Sequence, residues 1–150
     1  MERILVINGP NLNLLGERDA AHYGGKTLEE VNRELAELAS ELGVEVVFYQ
    51  SNHEGDLIDR VHAERKKASG IIANPGALAH YSYALRDAFE AAGLPVVEVH
   101  ISDIGARESW RAQSVISDVA WKVIAGRGTA GYSDALRELN SFLRESPGNG

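Results

Sequence analysis

Cysteine is absent from this 150-residue chain. That excludes disulfides, thiolate nucleophiles and cysteine-ligated zinc, and it is in keeping with a reducing compartment, so a cytoplasmic location is expected. No apolar run approaches the ~18 residues of a membrane span. The opening stretch, Met1–Ile7, has neither the length nor the cleavage-like region of a signal peptide. Basic residues are outnumbered: 15 Lys and Arg against 22 Asp and Glu leave a net charge of −7. Such a chain lacks the cationic footprint of nucleic-acid binding. Neither nucleic acid nor membrane is therefore an expected partner. No His-x-x-x-His pair or carboxylate cluster suggests a metal, and no glycine-rich loop ends in the lysine and hydroxyl of a P-loop. What is present, 44% hydrophobic and 25% charged residues, is the composition of one soluble globular domain over residues 1–150.

Short apolar runs alternate with amphipathic stretches. Strands are expected at Arg3–Ile7, Val44–Tyr49, Ile71–Asn74, Pro95–Ile101 and Lys122–Ala125. A helix starts at Thr27, whose Thr-Leu-Glu-Glu run is a capping box, and stops at Gly43; Leu28, Val31, Leu35, Leu38 and Leu42 form its apolar face. Further helices are expected at Asp56–Ala68, with Leu57, Ile58 and Val61 on one side and His62 half-buried among them; at His80–Ala92, with Ala84, Leu85, Ala88 and Phe89 inward; and at Tyr132–Arg144. Residues 8–26 read as a long loop anchored by Leu12, Leu14 and Leu15, residues 102–120 as loop with short helix, and 146–150 as a disordered tail. Alternating β and α elements predict an α/β fold. It is a flavodoxin-like, doubly wound, five-stranded parallel sheet of order 2-1-3-4-5.

In such a sheet ligands bind at the carboxyl ends of the strands. Those ends are followed here by Asn11, Arg18, His22 and Tyr23, then by Asn74 and His80, then by His100, Ser102, Arg107 and Arg111. Glu98 and His100 are two apart in a strand and share a face. A carboxylate there can fix the tautomer of the imidazole and raise its basicity, although a strand-end His beside an exposed Glu has the same pattern. Arg107 and Arg111 suit an anion clamp or a solvated face. Tyr23 with Arg18 in one loop could form a general base, because a guanidinium favours the phenolate; a loop Tyr also simply packs. Gly126–Gly131 matches G-x-G-x-x-G, but it follows the last strand and lacks room for the acidic ribose ligand, so it reads as a tight turn with close helix packing.

Taken in order, several separated motifs resemble the type II 3-dehydroquinate dehydratases. They are Ile7-Asn8-Gly9-Pro10-Asn11-Leu12, Leu15-Gly16-x-Arg18, Tyr23-Gly24, Gln50-Ser51-Asn52-x-Glu54-Gly55, Asn74-Pro75-Gly76-Ala77, Ala84-Leu85-Arg86-Asp87-Ala88, Val97-Glu98-Val99-His100-Ile101-Ser102 and Arg107-Glu108-x-x-Arg111. The resemblance implies cofactor-free trans-dehydration of 3-dehydroquinate to 3-dehydroshikimate through an enolate, in the shikimate pathway to aromatic amino acids or in quinate breakdown. It assigns Tyr23 as the base, Arg18 as the group lowering its pKa, and Asn11 as the enolate stabiliser through a water. His100, oriented by Glu98, is the acid for the departing hydroxyl. Asn74, His80 and Arg111 hold substrate hydroxyls, and the backbone at Ile101 and Ser102 holds the carboxylate. Asp87 reaches a neighbouring subunit's site, in a homo-oligomer of trimers packed into a dodecamer. Ala79, Tyr81, Asp103, Gln113 and Arg127 depart from the usual residues. A non-catalytic ligand-binding module and a nucleotide-dependent oxidoreductase are the competing readings.

The sequence also separates this enolate route from a Schiff-base route. Its only lysines are Lys26, Lys66, Lys67 and Lys122, and none has the buried, charge-shifted setting that an amine nucleophile needs. Borohydride added with 3-dehydroquinate is expected to leave the protein active and its mass unchanged. A mass increase on a lysine would sink the enolate reading.

Overall fold

A computed structural model describes residues 1–17 and 25–145. Five strands, β1 (Arg3–Asn8), β2 (Glu45–Gln50), β3 (Gly70–Asn74), β4 (Val96–His100) and β5 (Lys122–Ala125), form one parallel sheet of order β2-β1-β3-β4-β5. This is the order the alternating pattern predicts. Three α-helices connect strands, α1 (Leu28–Leu42) between β1 and β2, α2 (Glu54–Glu64) between β2 and β3 and α3 (Tyr83–Ala92) between β3 and β4, and α4 (Ala130–Arg144) follows β5.

The sheet is covered on both faces because its central strands carry apolar side chains on both sides. Ile4, Val6, Ile72, Val97 and Val99 turn to one side, against Val31, Leu35 and Leu38 of α1 and Tyr132, Leu136 and Leu139 of α4. Leu5, Ile7, Ile71, Ala73 and Val96 turn to the other, against Leu57 and Val61 of α2 and Leu85 and Phe89 of α3. Truncating one such Leu or Phe to Ala costs about 2–5 kcal/mol, so each face is a strong constraint. The two edge strands, β2 and β5, are only partly buried.

Helix ends follow local chemistry. Thr27 caps α1 as expected, its hydroxyl accepting from the Glu30 N–H at 3.1 Å, and Gly43 ends the helix at φ 74°. The expected helix at His80–Ala92 instead splits. Gly76–His80 is a 3-10 helix, and α3 begins after Ser82, whose hydroxyl accepts from the Leu85 N–H at 3.0 Å. Its buried stripe is Leu85, Ala88 and Phe89, and Ala84 is exposed rather than inward. Helix α2 starts and stops earlier than Asp56–Ala68; it begins at Glu54, and after Glu64 the chain tightens, with the Lys67 N–H folding back onto the Glu64 carbonyl. Its inward stripe runs Leu57, Val61, Glu64, which leaves His62 exposed rather than half-buried. In the first loop Leu12 and Leu15 are buried anchors, around a 3-10 turn at Leu12–Leu14; Leu14 is exposed. The 102–120 region is loop with three 3-10 turns. Arg18, His22, Tyr23 and the 146–150 tail lie outside the described residues.

Glu64 is a buried acid at the end of α2. Arg3 on β1 donates to both its oxygens at 3.0 Å and also reaches Glu45 on β2. The Arg3 hydrogen bonds hold the Glu64 carboxyl below its ordinary range against the opposing effect of burial. A depressed carboxyl contributes stability above its unfolded value of about 4.3, and that stability is lost as pH falls through the folded value. Glu64→Gln is therefore expected to lower the thermal midpoint at pH 7. The gap from wild type should narrow as pH drops below about 4. A pH-independent gap would contradict the assignment.

Candidate active site

The carboxyl ends of β1, β3 and β4 open into a single pocket. Parallel register sets them side by side: Asn8 pairs with Asn74, and Ala73 with Glu98. Two loops then meet through bare backbone. The Gly9 N–H donates to the Asn74 carbonyl at 2.8 Å. A Cβ on Gly9 would sit 2.3 Å from the Pro75 carbonyl oxygen. A Cβ on Gly76, which sits at φ +62°, would lie 3.0 Å from the Pro10 carbonyl oxygen. Only glycine permits this approach, which accounts for the Asn-Gly-Pro and Asn-Pro-Gly runs.

Asn11 occupies a left-handed conformation, φ 70°, the only such non-glycine residue among those described. Its N–H donates to Asn52 Oδ1 at 2.9 Å, and Gln50 Nε2 bonds both Asn52 Oδ1 and the Gly9 carbonyl at 3.2 Å. The Gln50-Ser51-Asn52 run thus holds the loop that presents Asn11 to the pocket. Beneath, Tyr132 from α4 donates to Asn8 Oδ1 at 2.6 Å and accepts from Asn74 Nδ2 at 2.9 Å. Burial pushes the Tyr132 hydroxyl far above its ordinary pKa, with the Asn74 amide opposing, so it remains a neutral donor. Asn74 Oδ1 accepts from the Gly76 N–H at 3.2 Å. One amide hydrogen of Asn74 is left for a ligand.

On the opposite wall His80 Nδ1 lies 2.6 Å from the Gln113 carbonyl, and its ring meets Trp110 edge-on at 5.3 Å. The Arg111 guanidinium stacks over the other side of this wall, 4.5 Å from the Trp110 ring centre, with Nε 2.8 Å from Glu108 Oε2. Arg107 lines the same pocket, which is cationic despite the acidic chain around it.

The floor of the pocket is His100. Its Nε2 contacts Glu98 Oε2 directly, and Glu98 is completely buried. Burial pushes the Glu98 carboxyl up, but the His100 hydrogen bond and charge, with the Ser114 and Ser117 hydroxyls, together hold it below the ordinary range. The two serines donate at 2.6 and 2.7 Å. The exposed-Glu alternative for this pair is therefore excluded. Past His100 the chain continues into the pocket as Ile101 and Ser102. Their carbonyls accept from Gly128 and Gly126, so two N–H groups of the Gly126–Gly131 turn brace the chain just beyond β4.

Of the residues picked from sequence, Asn11, Asn74, His80, His100, Ile101, Ser102, Arg107 and Arg111 line the pocket, with Glu98 behind His100. Asp87 is exposed on α3 and does not line it. Arg18 and Tyr23 are outside the described residues. Sequence reasoning missed Trp110, Ser114, Ser117 and the Gln113 carbonyl; the Ser-x-x-Ser spacing was the only available signal for the serines. The departures Ala79, Tyr81, Asp103, Gln113 and Arg127 do not line the pocket. Gln113 acts through its backbone, and Arg127 pairs with Asp134 at the surface, 2.9 Å away. Among the described residues no three His, Asp or Glu side chains gather as metal ligands, and no helix is long and apolar enough to cross a membrane.

A doubly wound sheet with a polar, cationic pocket at its carboxyl edge and a buried Glu–His pair beneath defines an α/β protein built for acid–base chemistry on an anionic ligand. The sequence profile described as "Dehydroquinase class II" matches residues 2–140, and the chain belongs to that family. It is 55% identical to 3-dehydroquinate dehydratase of Pelotomaculum thermopropionicum over 135 residues, covering 90% of this chain and 94% of that one. The corresponding protein of Halothermothrix orenii is 53% identical over 145 residues, 97% of this chain and 98% of that one. The crystal structure of type II dehydroquinase from Butyrivibrio crossotus superposes with a TM-score of 0.91 at 43% identity, covering 93% of this chain and 97% of that one.

Proposed function

We propose that this chain catalyses the trans-dehydration of 3-dehydroquinate to 3-dehydroshikimate through an enolate. The observation that carries the proposal is the Glu98–His100 pair, buried under a cationic pocket in a chain of this family.

A proton beside a ketone is weakly acidic, so its removal needs a strong, positioned base and a stabilised enolate oxygen. Tyr23 is the base, as its phenolate, with Arg18 lowering its pKa. The electron pair left by that proton moves onto the ketone oxygen as the enolate, which Asn11 stabilises through a water. Collapse of the enolate expels the hydroxyl on the next carbon. Hydroxide leaves poorly, so His100 protonates it and water departs. With Nε2 turned to Glu98, Nδ1 is the nitrogen that carries this proton. The protein returns to its starting state when Tyr23 gives its proton up to solvent water and His100 takes one from it. Asn74, His80 and Arg111 hold the substrate hydroxyls, and the backbone of Ile101 and Ser102 holds its carboxylate, in a pocket that Arg107 and Arg111 make attractive to an anion.

Turnover is read from the absorbance of the enone product. Tyr23→Phe keeps the ring and removes the ionisable oxygen, so turnover should fall at least ~100-fold in a folded protein. Near-wild-type turnover in that variant would refute the assignment of the base.

Assembly is the second part of the proposal. Asp87 is exposed on α3, and Tyr81 and Tyr83 beside it are 61% and 64% exposed. This face suits burial against another copy, and Asp87 then completes a neighbour's site in a trimer, with trimers packed into a dodecamer. Arg18→Ala and Asp87→Ala each impair activity alone. Co-expressed, they form mixed trimers in which some sites hold both residues, and part of the activity returns. Co-expressed variants no more active than the separate ones, or a fully active monomer, would count against Asp87 acting across an interface.

A further inference from the structure

Glu98 receives more than its histidine. Ser114 Oγ donates to Oε2 at 2.6 Å, and Ser117 Oγ donates to Oε1 at 2.7 Å. Both serines lie on the segment that leaves the Arg111 turn. That segment is itself fixed: the Val115 N–H donates to the Ala79 carbonyl at 2.7 Å, and Arg86 Nη1 donates to the Val115 carbonyl at 3.1 Å. A buried carboxylate is costly unless its oxygens are fully hydrogen-bonded. Orienting an imidazole by a carboxylate requires that the carboxylate itself not rotate. Neither serine lines the pocket.

We propose that Ser114 and Ser117 are positioning residues for the reaction, their hydroxyls clamping both oxygens of Glu98 so that a fixed, unprotonated carboxylate faces His100 Nε2. The inference rests on the dehydratase reading and on His100 as its acid. The groups that act on Glu98 are His100 on its own strand and the two serine hydroxyls; Arg107 and Arg111 line the pocket on the far side of His100, and Arg86, which holds the Val115 carbonyl, pairs with Asp118 at 3.2 Å. Its register partners on β3 and β5, Ala73 and Val123, carry no charge. Removing a hydroxyl donor raises the proton affinity of the carboxylate, so Glu98 is neutralised at higher pH and ceases to hold the imidazole as an acid.

Ser117→Ala is the cleaner variant, because Ser114 Oγ also accepts from the Ile116 N–H at 3.1 Å. In Ser117→Ala kcat should fall about tenfold, with KM changed less than about twofold. The lower part of the acid limb of kcat/KM, where Glu98 takes up a proton in addition to Tyr23, should move up by about one pH unit, the scale of losing one charge-assisted hydrogen bond. Ser114→Ala, read the same way, should move the limb in the same direction, and Ser117→Thr should restore it. A loss that is uniform across pH, or an unmoved limb in an active, folded variant, overturns the clamp while leaving the dehydratase reading intact. A wild-type protein inert towards 3-dehydroquinate overturns that reading and the clamp with it.

Discussion

A carboxylate with no solvent exposure sits at the centre of this molecule, and much of the surrounding order can be traced to compensating it. Glu98 and His100 interrupt a strand otherwise made of valine, on the face that α3 covers. Left alone, a buried carboxylate takes up a proton or destabilises the fold. Here it is satisfied from three directions, by a ring nitrogen on its own strand and two hydroxyls from a distant loop. That loop is thereby fixed in place, and with it the Gln113 carbonyl that holds His80. One buried charge links the histidine at the pocket floor to the histidine in its wall.

The scaffold contributes by proximity more than by contact. Parallel register aligns three strand ends, and two glycines let the loops beyond β1 and β3 pack backbone to backbone. The polar groups presented there have few rotamers left to lose when a ligand arrives. Asn11 is held in a left-handed turn by Asn52, and Asn74 is pinned by Tyr132 and Gly76. Preorganisation of this kind is what a developing enolate charge requires, since donors already in place need no reorganisation during reaction.

The sheet order, both apolar faces and most helix limits were legible in the sequence, because period 2 and period 3.6 patterns, glycine stops and the Thr27 capping box are all local signals. The misreadings were local as well. Ser82 is an unremarked cap, and reading through it extended α3 back to His80 and placed Ala84 inward. The basic run after Glu64 looked helical, and nothing in one sequence says that Glu64 turns inward to meet Arg3 from 61 residues away. The site was legible where residues share a strand, as Glu98 and His100 do. It was illegible where the contact is long-range or made by backbone: the Gln113 carbonyl and the Tyr132 bridge carry no signature that a periodicity or a motif would reveal, and Ser114 and Ser117 carry only a Ser-x-x-Ser spacing that does not point to Glu98.

The Tyr132 bridge has a dynamic consequence. Its hydroxyl joins Asn8, 124 positions away in sequence, to Asn74 at the ends of two central strands. The bridge exists only while the first turn of α4 is closed on the sheet. Opening of that turn frees Asn8 Oδ1 and Asn74 Nδ2 at once and leaves Asn74 held only through its Oδ1 by Gly76, so the fully braced asparagine pair lasts no longer than the closed state of a helix that lends the pocket no lining residue. The asparagine pair and the start of the C-terminal helix therefore form a single cooperative unit, whose fluctuations are set by the packing of Tyr132, Leu136 and Leu139.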